Sequence, residues 1–150
     1  MKPNKNTLKT KFQNRDLLFA GWTSMGHPQV TEMLARSGVD FIGIDIEHST
    51  ISQEQSQRII AACHADGVCC LPRVASHNSE TIKRLLDSGA DGVIVPTVET
   101  SEQVEKLIEP NLNPIFGRSA QPNDHLRVII AILGKTIASG NRQRMKYGRE

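Results

Sequence analysis

The most constraining feature of this chain is a strand-then-helix unit that repeats four times between residues 17 and 110. Leu17–Trp22 is a short apolar run closed at Gly21, and it reads as a strand. Pro28 suits the first turn of a helix that ends before Gly38, with Val30, Met33 and Leu34 on one face at i, i+3, i+4 spacing. Val39–Ile46 is nearly continuously apolar apart from its aspartates, as a strand covered on both faces must be. Ser52-Gln53-Glu54-Gln55 is a capping box, and it opens a helix that turns Ile59, Ile60 and Cys63 inward before stopping at Gly67. Val68–Val74 is the third strand, and Asn78 or Ser79 starts a helix with Ile82, Leu85 and Leu86 on one face and Gly89 beyond its end. Gly92–Val98 is the fourth strand. A second capping box, Thr100 to Gln103, then leads into Val104, Leu107 and Ile108, and Pro110 stops that helix. Strand starts at 17, 39, 68 and 92 recur every 22 to 29 residues, which is the signature of consecutive βαβ units and a parallel sheet.

Right-handed crossovers make all four strands parallel, so their C-terminal ends share one face, where function gathers in open sheets and closed barrels alike. No G-x-G-x-x-G or G-x-x-x-x-G-K-[ST] occurs, so neither a dinucleotide site nor a P-loop is supported. The strand ends carry Gly21-Trp22, Asp45-Ile46-Glu47-His48, Leu71-Pro72-Arg73-Val74 and Val95-Pro96-Thr97. They are expected to bring a histidine, an arginine and several carboxylates into one mouth. Histidine titrates where proton transfer near neutrality needs it, and arginine offers a planar fork for a carboxylate. That set suits proton abstraction or carbon–carbon chemistry on a small oxo-acid. Singly, a histidine or an arginine after a strand is more often surface charge; placement at equivalent ends of successive strands is what singles out His48 and Arg73. His27, His64, His77 and His125 lack that placement and read as structural or solvated. Asp87 sits in the last turn of a helix, where its charge opposes the macrodipole, so it calls for a partner.

Composition narrows the classes further. With 38% hydrophobic residues and a net charge of +2, the 150-residue chain is not of the disordered type. Its longest apolar stretch, Val128–Leu133, is far too short to span a membrane. The lysine-rich start, Met1–Asn14, has no apolar core and is not a secretory signal, which points to the cytoplasm. Cys63, Cys69 and Cys70 form no C-x-x-C pair and read as buried structural thiols. Charge is segregated: residues 17–110 hold 6 basic and 13 acidic side chains, and residues 111–150 hold 7 basic and 2 acidic. A basic tail invites nucleic acid or anionic lipid, but this one has only Phe116 and Tyr147 as aromatics and no nucleic-acid motif, which argues against nucleic acid.

Taken in order, Gly21-Trp22, Pro28 to Glu32, Asp40 to His48, Leu71 to Val74, Leu85 to Ala90 and Val93 to Val98 resemble the N-terminal half of the HpcH/HpaI aldolase/citrate lyase family. The combined D-x-E-H, P-R-V, L-D-x-G-A and V-P-x-V set carries the resemblance, from about Leu17 to Ile108. It implies a (β/α)8 TIM barrel and a metal-dependent class II aldolase that releases pyruvate and an aldehyde from 4-hydroxy-2-oxo acids. It implies that His48 is the catalytic base, that Arg73 holds the oxo-acid and stabilises the enolate, that Asp87 pairs with the histidine, and that Trp22 lies near the mouth. It further implies a divalent metal (Mg2+, Mn2+ or Co2+), a small-molecule 2-oxo acid substrate and a homo-oligomer when full-length.

Beyond Pro110 the chain departs from that pattern. Asn113-Pro114-Ile115-Phe116-Gly117-Arg118-Ser119 shortens the family's expected Tyr-Pro-Pro-x-Gly-x-Arg-Ser, and the expected metal carboxylates after a fifth and sixth strand have no counterpart. Asp124 and Glu150 are the acids left, neither in the right context. A barrel of this kind needs roughly 250 residues. The expected organisation is a basic N-terminal extension over 1–16, a partial (β/α) barrel of about four βα units over 17–110, and a divergent basic tail over 111–150. Four strands leave an open edge, to be covered by Val128–Ile137 as helix or strand or by a second copy. Two function classes follow: an aldolase-type lyase, or an inactive truncated or frame-shifted fragment or interaction module.

Overall fold

The computed structural model describes residues 5–100, 102–107 and 128–131. The elements are α1 (Lys5–Asn14), β1 (Ala20–Thr23), α2 (Pro28–Ala35), β2 (Phe41–Asp45), α3 (Gln53–Ala65), β3 (Cys69–Arg73), α4 (Ser79–Asp87), β4 (Gly92–Val95) and β5 (Val128–Ala131). They build one sheet in the order β1-β2-β3-β4-β5, every neighbouring pair parallel. The four expected βα units are present, and the architecture is a partial TIM-barrel-like α/β fold. Of the apolar stretch Val128–Ile137, residues 128–131 form a strand along β4; the remainder lies outside the described residues. A strand satisfies the unpaired backbone groups of β4, which a helix laid there leaves unmet.

Helix ends follow the sequence closely. Ser52 and Gln55 form both halves of the capping box of α3, Asn78 accepts from the Thr81 N–H at the start of α4, and Thr100 and Gln103 exchange bonds before helical residues 102–107. Gly38, Gly67 and Gly89, just past three helices, adopt φ of 87°, 75° and 102°, where a side chain costs about 1 kcal/mol.

Strand alternation sorts the side chains into two layers. Ile42, Ile44 and Cys70 face outward and pack with Ala35, Ile59, Ile60 and Cys63; Val93 and Val95 pack with Ile82, Leu85 and Leu86. All three cysteines are buried free thiols, as the sequence suggests. On the concave side lie Phe41, Cys69, Leu71 and Ile94, and here the structure adds an element that the sequence reading treats as a polar extension. Helix α1 lays Leu8 and Phe12 against them, with the Phe12 and Phe41 rings 5.9 Å apart. Its Lys11 bonds Asp40, whose other oxygen accepts from the Phe19 N–H at 2.9 Å. Lys11 first, and then that N–H, hold the Asp40 carboxyl below its ordinary range.

Helix α2 corrects the expected inward face. Thr31 and Ala35 are buried and Leu34 packs on the core, whereas Met33 is 76% exposed. The reason is close approach: Gly21 of β1 lets the backbone come within reach of the Leu34 Cβ, and small residues fit that seam better than Met33.

Candidate functional site

Asp45 and Arg73 are register partners at the ends of β2 and β3, so their side chains leave the same face of the sheet. Arg73 Nε donates to Asp45 Oδ1 at 3.2 Å and Nη2 donates to Oδ2 at 2.7 Å, a two-pronged ion pair. Beyond Asp45 the chain turns sharply: the His48 N–H donates to Asp45 Oδ1 at 3.0 Å, and the Ser49 hydroxyl donates to the Asp45 carbonyl. That turn swings Glu47 and His48 back over Arg73. Nη2 of Arg73 lies 2.8 Å from His48 Nδ1, and Nε lies 3.2 Å from Glu47 Oε2. Glu47 Oε2 is shut from solvent and accepts no hydrogen bond, because the Nε–H beside it is aimed at Asp45. Burial pushes the Asp45 carboxyl up. The hydrogen bonds from Arg73, the His48 N–H and Trp22, with the Arg73 charge, outweigh it and leave the group below its ordinary range.

Trp22 completes the mouth from β1. It is the register partner of Gly43, and its ring lies where a Cβ on Gly43 would be, so the glycine is required by close approach. The Arg73 guanidinium carbon stands 5.1 Å from the centre of that ring, a cation–π contact. On the β4 side, His77 Nε2 donates to the Pro96 carbonyl at 2.9 Å, and Thr97 follows at φ 55°, a rare conformation for a β-branched residue. His64 lies apart, at the other end of the strands, 2.9 Å from Asp91.

The structure therefore brings together His48, Arg73 and Trp22 of the four expected site residues. Asp87 is not brought to them. It closes α4, and a helix that follows a parallel strand runs back along the sheet, so its last residue lies beside the strand starts, opposite the mouth. Asp45 and Glu47 stand beside His48. Both were visible as acids flanking the histidine, and strand alternation through Phe41, Gly43 and Asp45 was the signal that Asp45 faces Arg73.

Among the described residues no group of three or more His, Cys, Asp or Glu side chains is arranged to hold a metal ion. The mouth's own carboxylates do not supply such a set, since the Arg73 guanidinium stands 2.7 Å from Asp45 and 3.2 Å from Glu47, where a cation would have to sit. No helix among the described residues is long and apolar enough to cross a membrane.

Comparison with known proteins agrees with this frame. The chain is 32% identical over 113 residues to a 4-hydroxy-2-oxovalerate aldolase of Novosphingobium aromaticivorans, covering 75% of this chain and 43% of that protein. It is 25% identical over 137 residues to a 5-keto-4-deoxy-D-glucarate aldolase of Escherichia coli (strain SMS-3-5), covering 91% of this chain and 54% of that one. Among solved structures, the citrate synthase SbnG superposes with a TM-score of 0.70 at 32% identity, over 83% of this chain and 54% of that chain. The chain thus spans about half the length of the relatives it matches. The matching family pattern runs over residues 18–132, past Ile108 and through β5. The chain belongs to the HpcH/HpaI aldolase/citrate lyase family.

Proposed function

We propose that the mouth binds a 2-oxo acid, and that the protein is an aldolase-type carbon–carbon lyase that cleaves 4-hydroxy-2-oxo acids into pyruvate and an aldehyde. The observation that carries this reading is the cluster itself: one arginine stacked on an indole, its Nη1 without a hydrogen bond among the described residues, beside one histidine and two carboxylates. Arg73 receives the substrate carboxylate and lowers the energy of negative charge developing on the adjacent oxo group. His48 takes the proton of the 4-hydroxyl. The C3–C4 bond then breaks, the aldehyde departs, and the electron pair passes to the C2 oxygen as an enolate, which picks up a proton at C3 to become pyruvate. Trp22 covers one side of the guanidinium and keeps water from it. The divalent metal that the family resemblance implies has no fitting set of ligands among the described residues, and no step here is assigned to it.

A second reading is an oxo-acid binder without lyase activity. One experiment separates the two. Pyruvate in D2O with the purified chain, with and without Mg2+ or Mn2+, is followed by proton NMR at the methyl group. The lyase reading expects methyl exchange that is lost in His48→Ala and in Arg73→Met, with pyruvate binding retained in the first variant only. Binding without exchange supports the second reading. No binding, seen as unchanged Trp22 fluorescence, overturns both.

A further inference from the structure

The mouth holds His48 in a state that cannot yet act as a base. Arginine nitrogens only donate, so the 2.8 Å contact from Arg73 Nη2 requires a lone pair on His48 Nδ1. The neutral ring then carries its proton on Nε2, and neither nitrogen offers a free lone pair to a substrate. Glu47 Oε2 lies 3.6 Å from the same Nδ1, buried and accepting no hydrogen bond. Two groups therefore stand near one ring nitrogen, and only one is engaged. The engaged one is removable: Nε and Nη2 grip Asp45 along one edge of the guanidinium, and among the described residues Nη1 makes no hydrogen bond. A carboxylate that docks on the Nη1–Nη2 edge takes the second Nη2 hydrogen, the one now given to His48, and leaves the Asp45 grip intact.

We propose that Glu47 is a positioning residue that exchanges with Arg73 for His48 Nδ1, so that the ring becomes a base only when a carboxylate ligand occupies Arg73. Once Nη2 is drawn off, Nδ1 gains a proton and donates it to Glu47 Oε2, Nε2 gives its proton to water, and the lone pair left on Nε2 faces the mouth. The ring's total of one proton is unchanged. This rests on the reading that His48 moves the proton, and it restricts that chemistry to substrates bearing a carboxylate next to the reacting carbonyl.

The test reads the ring directly, by long-range proton–nitrogen NMR of His48 at a pH where imidazole is neutral. The free chain is expected to show Nδ1 unprotonated and Nε2 protonated, and saturating pyruvate is expected to swap the two. Arg73→Met is expected to swap them with no ligand present. Adding Glu47→Leu to Arg73→Met is expected to abolish the swap, and Glu47→Gln in its place to restore part of it through the amide oxygen. Nδ1 protonated in the free wild-type chain overturns the proposal, as does Nε2–H retained in Arg73→Met or a swap that persists without Glu47. Pyruvate that leaves the Arg73 Nη–H signals unmoved counts against the oxo-acid reading alone, since the arginine and glutamate variants need no ligand. If Arg73→Met does not fold, the wild-type spectra with pyruvate, compared with those of Glu47→Leu, decide the matter.

Discussion

Arg73→Met removes a guanidinium that two carboxylates share, and the cost follows from the burial of those carboxylates. The Asp45 side chain is 9% exposed and that of Glu47 19%. Asp45 loses both prongs of its ion pair and keeps the His48 N–H, while Glu47 loses the guanidinium 3.2 Å from its Oε2. Breaking a fully buried pair on one side costs about 3–5 kcal/mol. The Arg73 side chain is 22% exposed, so water reaches the vacated place, and the expected penalty is about 2 kcal/mol near pH 7. Its pH dependence has a definite sign. In the wild type the Asp45 carboxyl lies below its ordinary range, so it adds stability above the unfolded value of about 3.9, and that stability is lost as pH falls through the lower folded value. Without Arg73, burial acts with less opposition and raises the carboxyl, so the variant is penalised while Asp45 is charged and recovers as it protonates. The gap between the two proteins is therefore widest near neutrality and closes below about pH 4. Urea unfolding followed by Trp22 fluorescence and circular dichroism measures it, as a midpoint shift of about 1 M at neutral pH for a slope near 2 kcal/mol per molar. A gap below about 0.5 kcal/mol at pH 7, or one that persists unchanged in acid, refutes the reasoning.

Two further substitutions test other parts of the fold. Gly43→Ala places a methyl where the Trp22 ring lies and is expected to cost about 1–3 kcal/mol, with a change in Trp22 emission and loss of pyruvate binding; unaltered emission refutes that packing. Leu8→Ala removes a side chain 4% exposed against the concave face and is expected to cost about 2–3 kcal/mol in urea unfolding, whereas a change within about 0.5 kcal/mol means that α1 does not seal that face.

What the sequence discloses is governed by how local the cause is. The strands were legible because burial on both faces demands continuous apolar runs. The starts of α3 and α4 were legible because a cap needs only a residue and its neighbours three positions on. Helix α1 was not, since Leu8 and Phe12 are isolated among lysines and polar residues, and their burial depends on a concave surface assembled from three strands. The fate of Val128–Ala131 was open for a similar reason: the run is apolar enough for either element, and the unpaired edge of β4 decides. In the site, the convergence of His48 and Arg73 followed from strand ends alone. The stacking of Trp22 on Gly43 needed the β1–β2 register, which no single segment contains. Asp87 stood out by its charge in the last turn of a helix, its pairing with His48 came through resemblance, and its position at the far end of α4 follows from the direction of the helix.

The division of labour within the mouth explains why this cluster holds two carboxylates for one arginine. A guanidinium held by nothing swings on a long flexible stem and presents its donors at random, and ordering it upon binding costs entropy that the ligand must overcome. Asp45 removes that freedom by taking the Nε–Nη2 edge, and the Trp22 ring fixes the plane from the side. The remaining edge carries Nη1 and the Nη2 hydrogen now given to His48, the pair that two-pronged recognition of a carboxylate needs. Glu47 adds nothing to that orientation, since the Nε–H it sits beside is already spent on Asp45. A second carboxylate that does not orient the arginine, and whose buried Oε2 accepts no hydrogen bond, is costly to maintain. Among the described residues the His48 ring stands 3.6 Å from its Oε2. The charge that looks surplus when Arg73 is considered alone is the one needed when the histidine must turn its lone pair outward.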